Sequence, residues 1–205
     1  MDKNIRNTLI WICGFIALIV GMFLYSFLTP KQMTEMQYQE MGYFGFPEAR
    51  EIRPFQLKNQ DNSEIGLSSL KGHWSLLFFG FTYCPDVCPT TLGVLNQALK
   101  KIEQVPKVVL VSVDPERDTP ELLKQYLVGF NPDFDGYTGE FDQIVNLATN
   151  VNVAFGKVPG PERGTYLVDH SASIVVVSPE GKYVGFIKAP HQAGKIAAIV
   201  NSLQR

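Results

Sequence analysis

Cysteine is scarce in this 205-residue chain, which has only Cys13, Cys84 and Cys88. That excludes a disulfide scaffold, which needs several pairs in a shorter chain. An excess of charge is missing too. Eighteen Lys and Arg stand against twenty Asp and Glu, a formal net charge of −2. With no basic run or basic face, no nucleic-acid partner is expected. Repeats and low-complexity tracts are also absent. What is present is apolar: 45% of residues are hydrophobic and 19% charged, which fits one globular domain plus an added apolar segment.

The apolar segment is Leu9–Leu28, LIWICGFIALIVGMFLYSFL. About twenty uncharged residues suffice to cross a ~30 Å hydrocarbon core as a helix. Pro30 follows and ends it, and Trp11 and Tyr25 stand near its ends, where amphipathic rings favour the interface. Lys3 and Arg6 precede it, so the positive-inside rule keeps the tail, residues 1–8, in the cytoplasm. The expected organisation is a tail (1–8), a transmembrane anchor (9–28), a linker (29–47) and one domain (48–205). The domain then lies in the periplasm of a bacterial inner membrane, or an equivalent space. A cleaved signal peptide would have a shorter core and a small-residue cleavage site, which Ser26-Phe27-Leu28 is not. Cys13 follows Trp11 and Ile12, too bulky for a lipidation site, and reads as an inert buried thiol. Met33, Met36 and Met41 in the linker carry soft thioethers, but Met fills ordinary surfaces readily and these read as incidental.

In the domain, short apolar runs alternate with helical patterns, the signature of an α/β fold. Ile52–Leu57 reads as a first strand. Trp74–Phe81 is a continuous apolar run, as in a strand buried on both faces. Pro89 suits the first turn of a helix, whose apolar face is Leu92, Leu95, Leu99 and Ile102. Lys107–Val113 is a second buried strand. Thr119-Pro120 opens another helix, with Thr as N-cap and Pro at N1. Phe141–Val151 is a weaker helix. Ser173–Val177 and Tyr183–Lys188 flank the turn signal Ser178-Pro179-Glu180-Gly181 and read as a hairpin. Gln192–Leu203 is a closing helix. This order predicts a thioredoxin-like fold, a central mixed sheet flanked by helices.

Cys84-Pro85-Asp86-Val87-Cys88 lies where the first long buried strand turns into a helix. Helix N-termini favour negative charge and hence a thiolate. Two thiolates are soft donors that select Cu(I) or zinc. The three-residue spacer lets both sulfurs turn toward one metal, with a third ligand from elsewhere. A disulfide oxidoreductase could use the same pair. Three histidines are available. His73 precedes the apolar strand and reads as a surface loop residue. His191 reads as a cap or surface residue. His170, just before the hairpin, is the best candidate, because that loop approaches the cysteine loop in a thioredoxin topology.

Three blocks now carry a resemblance. Phe78-Phe79-Gly80-Phe81-Thr82-Tyr83-Cys84-Pro85-Asp86-Val87-Cys88-Pro89, then Val113-Asp114-Pro115-Glu116-Arg117-Asp118-Thr119-Pro120, then Val168-Asp169-His170-Ser171 resemble, in order and spacing, the signatures of the Sco (SenC) family of copper proteins. The likeness runs from about residue 50 to the C-terminus. It implies copper, as Cu(I) or Cu(II), held on Cys84, Cys88 and His170. It also implies a role in maturing the binuclear copper centre of cytochrome c oxidase subunit II, with an upstream copper donor as second partner. Such proteins act as copper donors, as thiol reductases preparing the target cysteines through a redox-active Cys84–Cys88 pair, or both. Tyr83 departs from the His or Phe many relatives carry, and is read as tuning the site's surroundings.

Around that site, Asp86 is expected to tune the site, contact a partner or cap the helix. Asp169 is expected to orient His170. Asp114, Arg117 and Asp118 are expected to fix the adjacent loop through an ion pair. A peroxidase-like thiol enzyme and a redox or copper sensor are further readings. The first would leave His170 idle, and no signalling segment supports the second.

Overall fold

The computed structural model describes residues 2–28, 33–160 and 166–205. It comprises two units, Met1–Met33 and Thr34–Arg205. The first holds α1 (Lys3–Leu28), of which Asn4–Tyr25 is long and apolar enough to cross a membrane. Cys13 is exposed on it, where burial had been expected.

Among the described residues the second unit has ten strands, β1 (Tyr43–Glu51), β2 (Gln56–Asn59), β3 (Glu64–Gly66), β4 (Ser75–Gly80), β5 (Lys107–Ser112), β6 (Asp135–Thr138), β7 (Phe155–Pro159), β8 (Tyr166–His170), β9 (Ile174–Val177) and β10 (Lys182–Ile187). Eight form one sheet in the order β1-β10-β9-β4-β5-β6-β2-β3, and β7 and β8 form a separate ribbon. β4 pairs with β5 in parallel and with β9 antiparallel, so the sheet is mixed. Every residue of β4 is buried, which is why its sequence shows no alternation. The helices are α2 (Glu35–Glu40), α3 (Val87–Leu99), α4 (Pro120–Val128), α5 (Phe141–Asn150) and α6 (Ala193–Leu203). A mixed sheet flanked by helices is the thioredoxin-like arrangement expected.

Local signals act as predicted. Thr119 caps α4, its hydroxyl accepting from the Leu122 N–H at 3.3 Å, with Pro120 in the first turn. Leu92 and Leu95 of α3 are buried. Between β9 and β10, the Gly181 N–H donates to the Ser178 carbonyl at 2.9 Å and closes the turn.

The chain departs from expectation before residue 57. The segment read as a linker contains α2, capped by Thr34 in a capping box with Gln37, and the first residues of β1. The strand read at Ile52–Leu57 resolves into the end of a gap and the start of β2. β1 is an edge strand with Tyr43 its one buried residue, so it lacks the apolar alternation that marks a strand. Its ladder to β10 shifts register between Gly45 and Arg50, around Pro47, which cannot donate a hydrogen bond and belongs at an edge or bulge. The Tyr38 hydroxyl donates to Ser202 Oγ at 2.8 Å and ties α2 to α6.

Gly185 makes this edge possible. A Cβ there would lie 2.5 Å from the Phe44 carbonyl oxygen and 2.7 Å from the Tyr43 hydroxyl. Backbone cannot yield as a side chain can. Gly185→Ala should therefore lower unfolding free energy by about 1–3 kcal/mol, the scale of overpacking, measured by urea denaturation with Trp74 fluorescence as probe.

Candidate metal centre

β4 ends at Gly80, and Phe81-Thr82-Tyr83 lead into the cysteine loop. The Cys84 N–H donates to the Phe81 carbonyl at 3.2 Å. Cys84 lies before α3 and is half-buried, whereas Cys88 lies in its first turn and is fully buried. The Cys88 N–H points at the Cys84 sulfur, 3.4 Å away. Gly80 leaves the space that the Cys88 sulfur occupies, since a Cβ there would meet it at 2.8 Å. Behind the loop, Asp118 accepts from the Thr82 hydroxyl at 2.6 Å, the Thr82 N–H at 3.1 Å and the Ser112 hydroxyl at 2.7 Å. Burial raises the Asp118 pKa, opposed by those hydrogen bonds.

His170 comes from the other sheet, as the last residue of β8 rather than a loop residue. Its Nε2 lies 3.5 Å from the Cys88 sulfur and its Nδ1 3.2 Å from the Ser171 carbonyl. A carbonyl only accepts, so Nδ1 carries the proton and the Nε2 lone pair faces the thiols. The Phe78 and Phe81 rings stand edge-on to the imidazole, with centroids 5.8 and 6.1 Å away. Burial lowers the His170 pKa, keeping the ring neutral, the form that ligates metal. The donor atoms of Cys84, Cys88 and His170 all lie within 4.8 Å of one another.

The expected activation of the pair by the helix N-terminus is overturned at Cys88. Burial pushes its thiol pKa up, and the hydrogen bond with Cys84 adds to this. In this dry position desolvation outweighs the helix end. Without metal Cys88 is therefore a neutral thiol, and a soft cation would displace its proton. Both cysteines are free thiols. Cys84 opens onto a cleft of about 150 Å³ that also exposes Pro85, Val87, Leu167 and His170.

Other predicted residues fall as follows. Asp169 is exposed; the Ser171 carbonyl holds the His170 Nδ1, and Asp169 acts on the ring only through its charge, which favours the protonated form. Asp86 stands at the N-cap of α3 without a side-chain cap bond; its carboxylate accepts from the Thr90 hydroxyl at 3.5 Å. Asp114 and Arg117 form the expected ion pair, whereas Asp118 works through hydrogen bonds instead. Tyr83 is 59% exposed beside the site, and the Arg117 guanidinium lies 5.1 Å from its ring centroid. His191 Nε2 donates to the Ala172 carbonyl at 2.7 Å and fixes the turn after His170. His73 is half-buried at its loop. Neither joins a metal-ligating cluster among the described residues. Met36 is exposed and Met41 packs on the core. Tyr166 was not singled out from the sequence. Its hydroxyl donates to Asp114 at 2.8 Å, a contact 52 residues apart in the chain that no local pattern announces.

Fold and site together define a thioredoxin-like protein with a Cys–Cys–His soft-metal cluster. Two thiols and a neutral imidazole at this spacing fit a three-coordinate copper ion. The SCO1/SenC family model matches residues 46–205. A SCO2-like protein of Rickettsia prowazekii is 33% identical over 193 residues, covering 90% of each chain. The solved structure of Arabidopsis thaliana ScoI with copper bound superposes with a TM-score of 0.71 at 35% identity, covering 75% of this chain and 99% of that one. BsSco, a member of the Sco family of cytochrome c oxidase assembly proteins in which a disulfide switch was identified, gives a TM-score of 0.59 at 30% identity, over 76% and 94% of the two chains. The chain belongs to the SCO1/SenC family.

Exposure orders the reactivity of the two thiols. In the reduced, metal-free protein, iodoacetamide should alkylate Cys84 well before Cys88, read by peptide mass spectrometry. Equal rates would contradict the burial of Cys88.

Proposed function

We propose that this chain is a membrane-anchored copper carrier. It holds copper on Cys84, Cys88 and His170 and delivers it to the binuclear copper centre of cytochrome c oxidase subunit II. The observation that carries the reading is the cluster itself: three soft or borderline donors, two from the loop and first turn of α3 and one from β8, within 4.8 Å of one another. Its likeness to copper-bound ScoI supports copper over zinc. BsSco's membership of a family of cytochrome c oxidase assembly proteins supports the destination. Copper is cargo here, and an upstream donor protein supplies it.

The residues divide the work. Cys88 and His170 are held by packing and anchor the ion. Cys84, beside the cleft, is the ligand an incoming thiolate of the target replaces first. Cu(I) then moves by stepwise exchange, each new thiolate forming its bond as one of these ligands leaves. The anchor, α1, holds the domain at the surface of the inner membrane, with Lys3 and Arg6 on the cytoplasmic side and the domain in the periplasm.

A thiol–disulfide reductase role is the second reading. The pair is free, and the disulfide switch of BsSco favours it. Cys84 as thiolate attacks a target disulfide and Cys88 resolves the mixed disulfide. The target gains two electrons and two protons, and Cys84–Cys88 becomes a disulfide.

Two measurements separate these readings. Cu(I) titration of the reduced chain against a competing chelator should show His170→Ala weakening affinity by about tenfold or more, a loss seen even for groups that merely support a ligand. Unchanged affinity would remove His170 from the site. In a deletion strain, neither Cys84→Ser nor His170→Ala should restore oxidase assembly if delivery is the role. Full rescue by His170→Ala alone would favour the reductase.

A further inference from the structure

His170 is held in an unusual way. Its strand belongs to a ribbon that shares no ladder with the main sheet, so backbone pairing to β4 or β9 does not set the ribbon's distance from the cysteines. At the end nearer β9, the Ser171 N–H donates to the Ala154 carbonyl at 3.0 Å and extends the ribbon's own pairing. The other end is gripped by the loop that follows β5.

That loop, Asp114 to Asp118, reaches both halves of the site. Asp114 is fully buried. It accepts from the Tyr166 hydroxyl at 2.8 Å and is paired with Arg117. The Arg117 guanidinium lies 4.0 Å from the Tyr166 ring centroid and donates to the Tyr166 carbonyl at 3.4 Å. Glu116 pairs with Lys157 of β7 at 2.6 Å, and the Lys157 ammonium lies 4.4 Å from the Tyr166 ring centroid. Both strands of the ribbon are thus held by one loop. At its other end the same loop, through Asp118, fixes Thr82, two residues before Cys84.

We infer that Tyr166 and Arg117 are positioning residues that set His170 against the cysteine pair, with the Asp114–Asp118 loop as the common frame for both halves of the site. Tyr166 touches no donor atom and acts only through β8. Arg117 reads the frame from both sides, since the Phe81 and Tyr83 rings lie 5.7 and 5.1 Å from its guanidinium carbon. Buried and doubly bonded, Asp114 cannot lose one partner cheaply, because an under-paired buried carboxylate costs more than a surface one. Losing the Tyr166 hydroxyl therefore shifts the ribbon rather than leaving it in place. The consequence is selective: the imidazole moves while the two sulfurs, held by α3 and Asp118, stay.

This deepens the copper reading and rests on it, but it has a test that does not need copper. In the reduced, metal-free full chain in detergent micelles, nuclear Overhauser contacts between the His170 ring and the Phe78 and Phe81 rings should weaken severalfold in Tyr166→Phe. They should weaken likewise in Arg117→Lys, which keeps the charge and loses the planar fork. Undiminished contacts in both variants would overturn the inference whatever copper does. The second arm is a double-mutant cycle in Cu(I) affinity. Tyr166→Phe should cost about tenfold in the wild-type background, the scale for outer groups at metal sites, and less than about twofold when His170 is already Ala. Equal losses in both backgrounds would make Tyr166 a general support of the fold and reject its action through His170. A loss of contacts with no effect of His170→Ala on affinity would uphold the positioning and reject the copper ligand.

Discussion

Three donor atoms within 4.8 Å of one another must be supplied by two pieces of chain that do not share a sheet. Cys84 and Cys88 are placed by β4 and α3, a fully buried strand and the helix that follows it. His170 is placed by a ribbon outside the ladder. Hydrogen-bonded strands hold their spacing automatically, but two separate sheets do not. The Asp114–Asp118 loop answers that constraint with two buried carboxylates, one facing each half. Much else follows from it: why Asp114 and Asp118 tolerate burial, why Arg117 lies against three aromatic rings, and why Tyr166 turns its hydroxyl inward.

Burial also sets the electrostatic state of the site. It raises the Cys88 pKa and lowers that of His170, so both groups favour their neutral forms. For His170 neutrality is the ligating form. For Cys88 it means the proton must leave as metal arrives, so loading releases a proton and weakens as pH falls. A helix N-terminus pulls the other way, but at Cys88 desolvation is the largest influence, and the hydrogen bond with Cys84 acts in the same direction.

Local patterns were legible where burial left an imprint. The unbroken apolar run of β4, the Thr119-Pro120 cap and the turn before β10 all appeared where the sequence places them. The sequence hid elements whose stabilisation is not in their own side chains. β1 shows solvent to most of its residues and pairs through backbone, so it read as linker. β6 is four residues long, and β7 and β8 make a ribbon with Val168 its one buried residue. Among site residues, both cysteines were visible from spacing alone, and His170 became firm through its resemblance to a known signature. The orienting role expected of Asp169 falls to the Ser171 carbonyl, a backbone group that the side-chain pattern cannot show, and Asp169 reaches the ring only through its charge.

The sequence by itself determined the apolar N-terminal helix, the order of the main strands and helices, the soft character of the Cys84–Cys88 pair and the family. Those depend on composition, short-range spacing and contiguous motifs. Tertiary structure alone decided which thiol is buried, which carbonyl orients His170 and how Tyr166 and Arg117 grip its ribbon. Each is a contact between groups far apart in the chain, or a desolvation set by everything packed around one atom. No local pattern of residues encodes either.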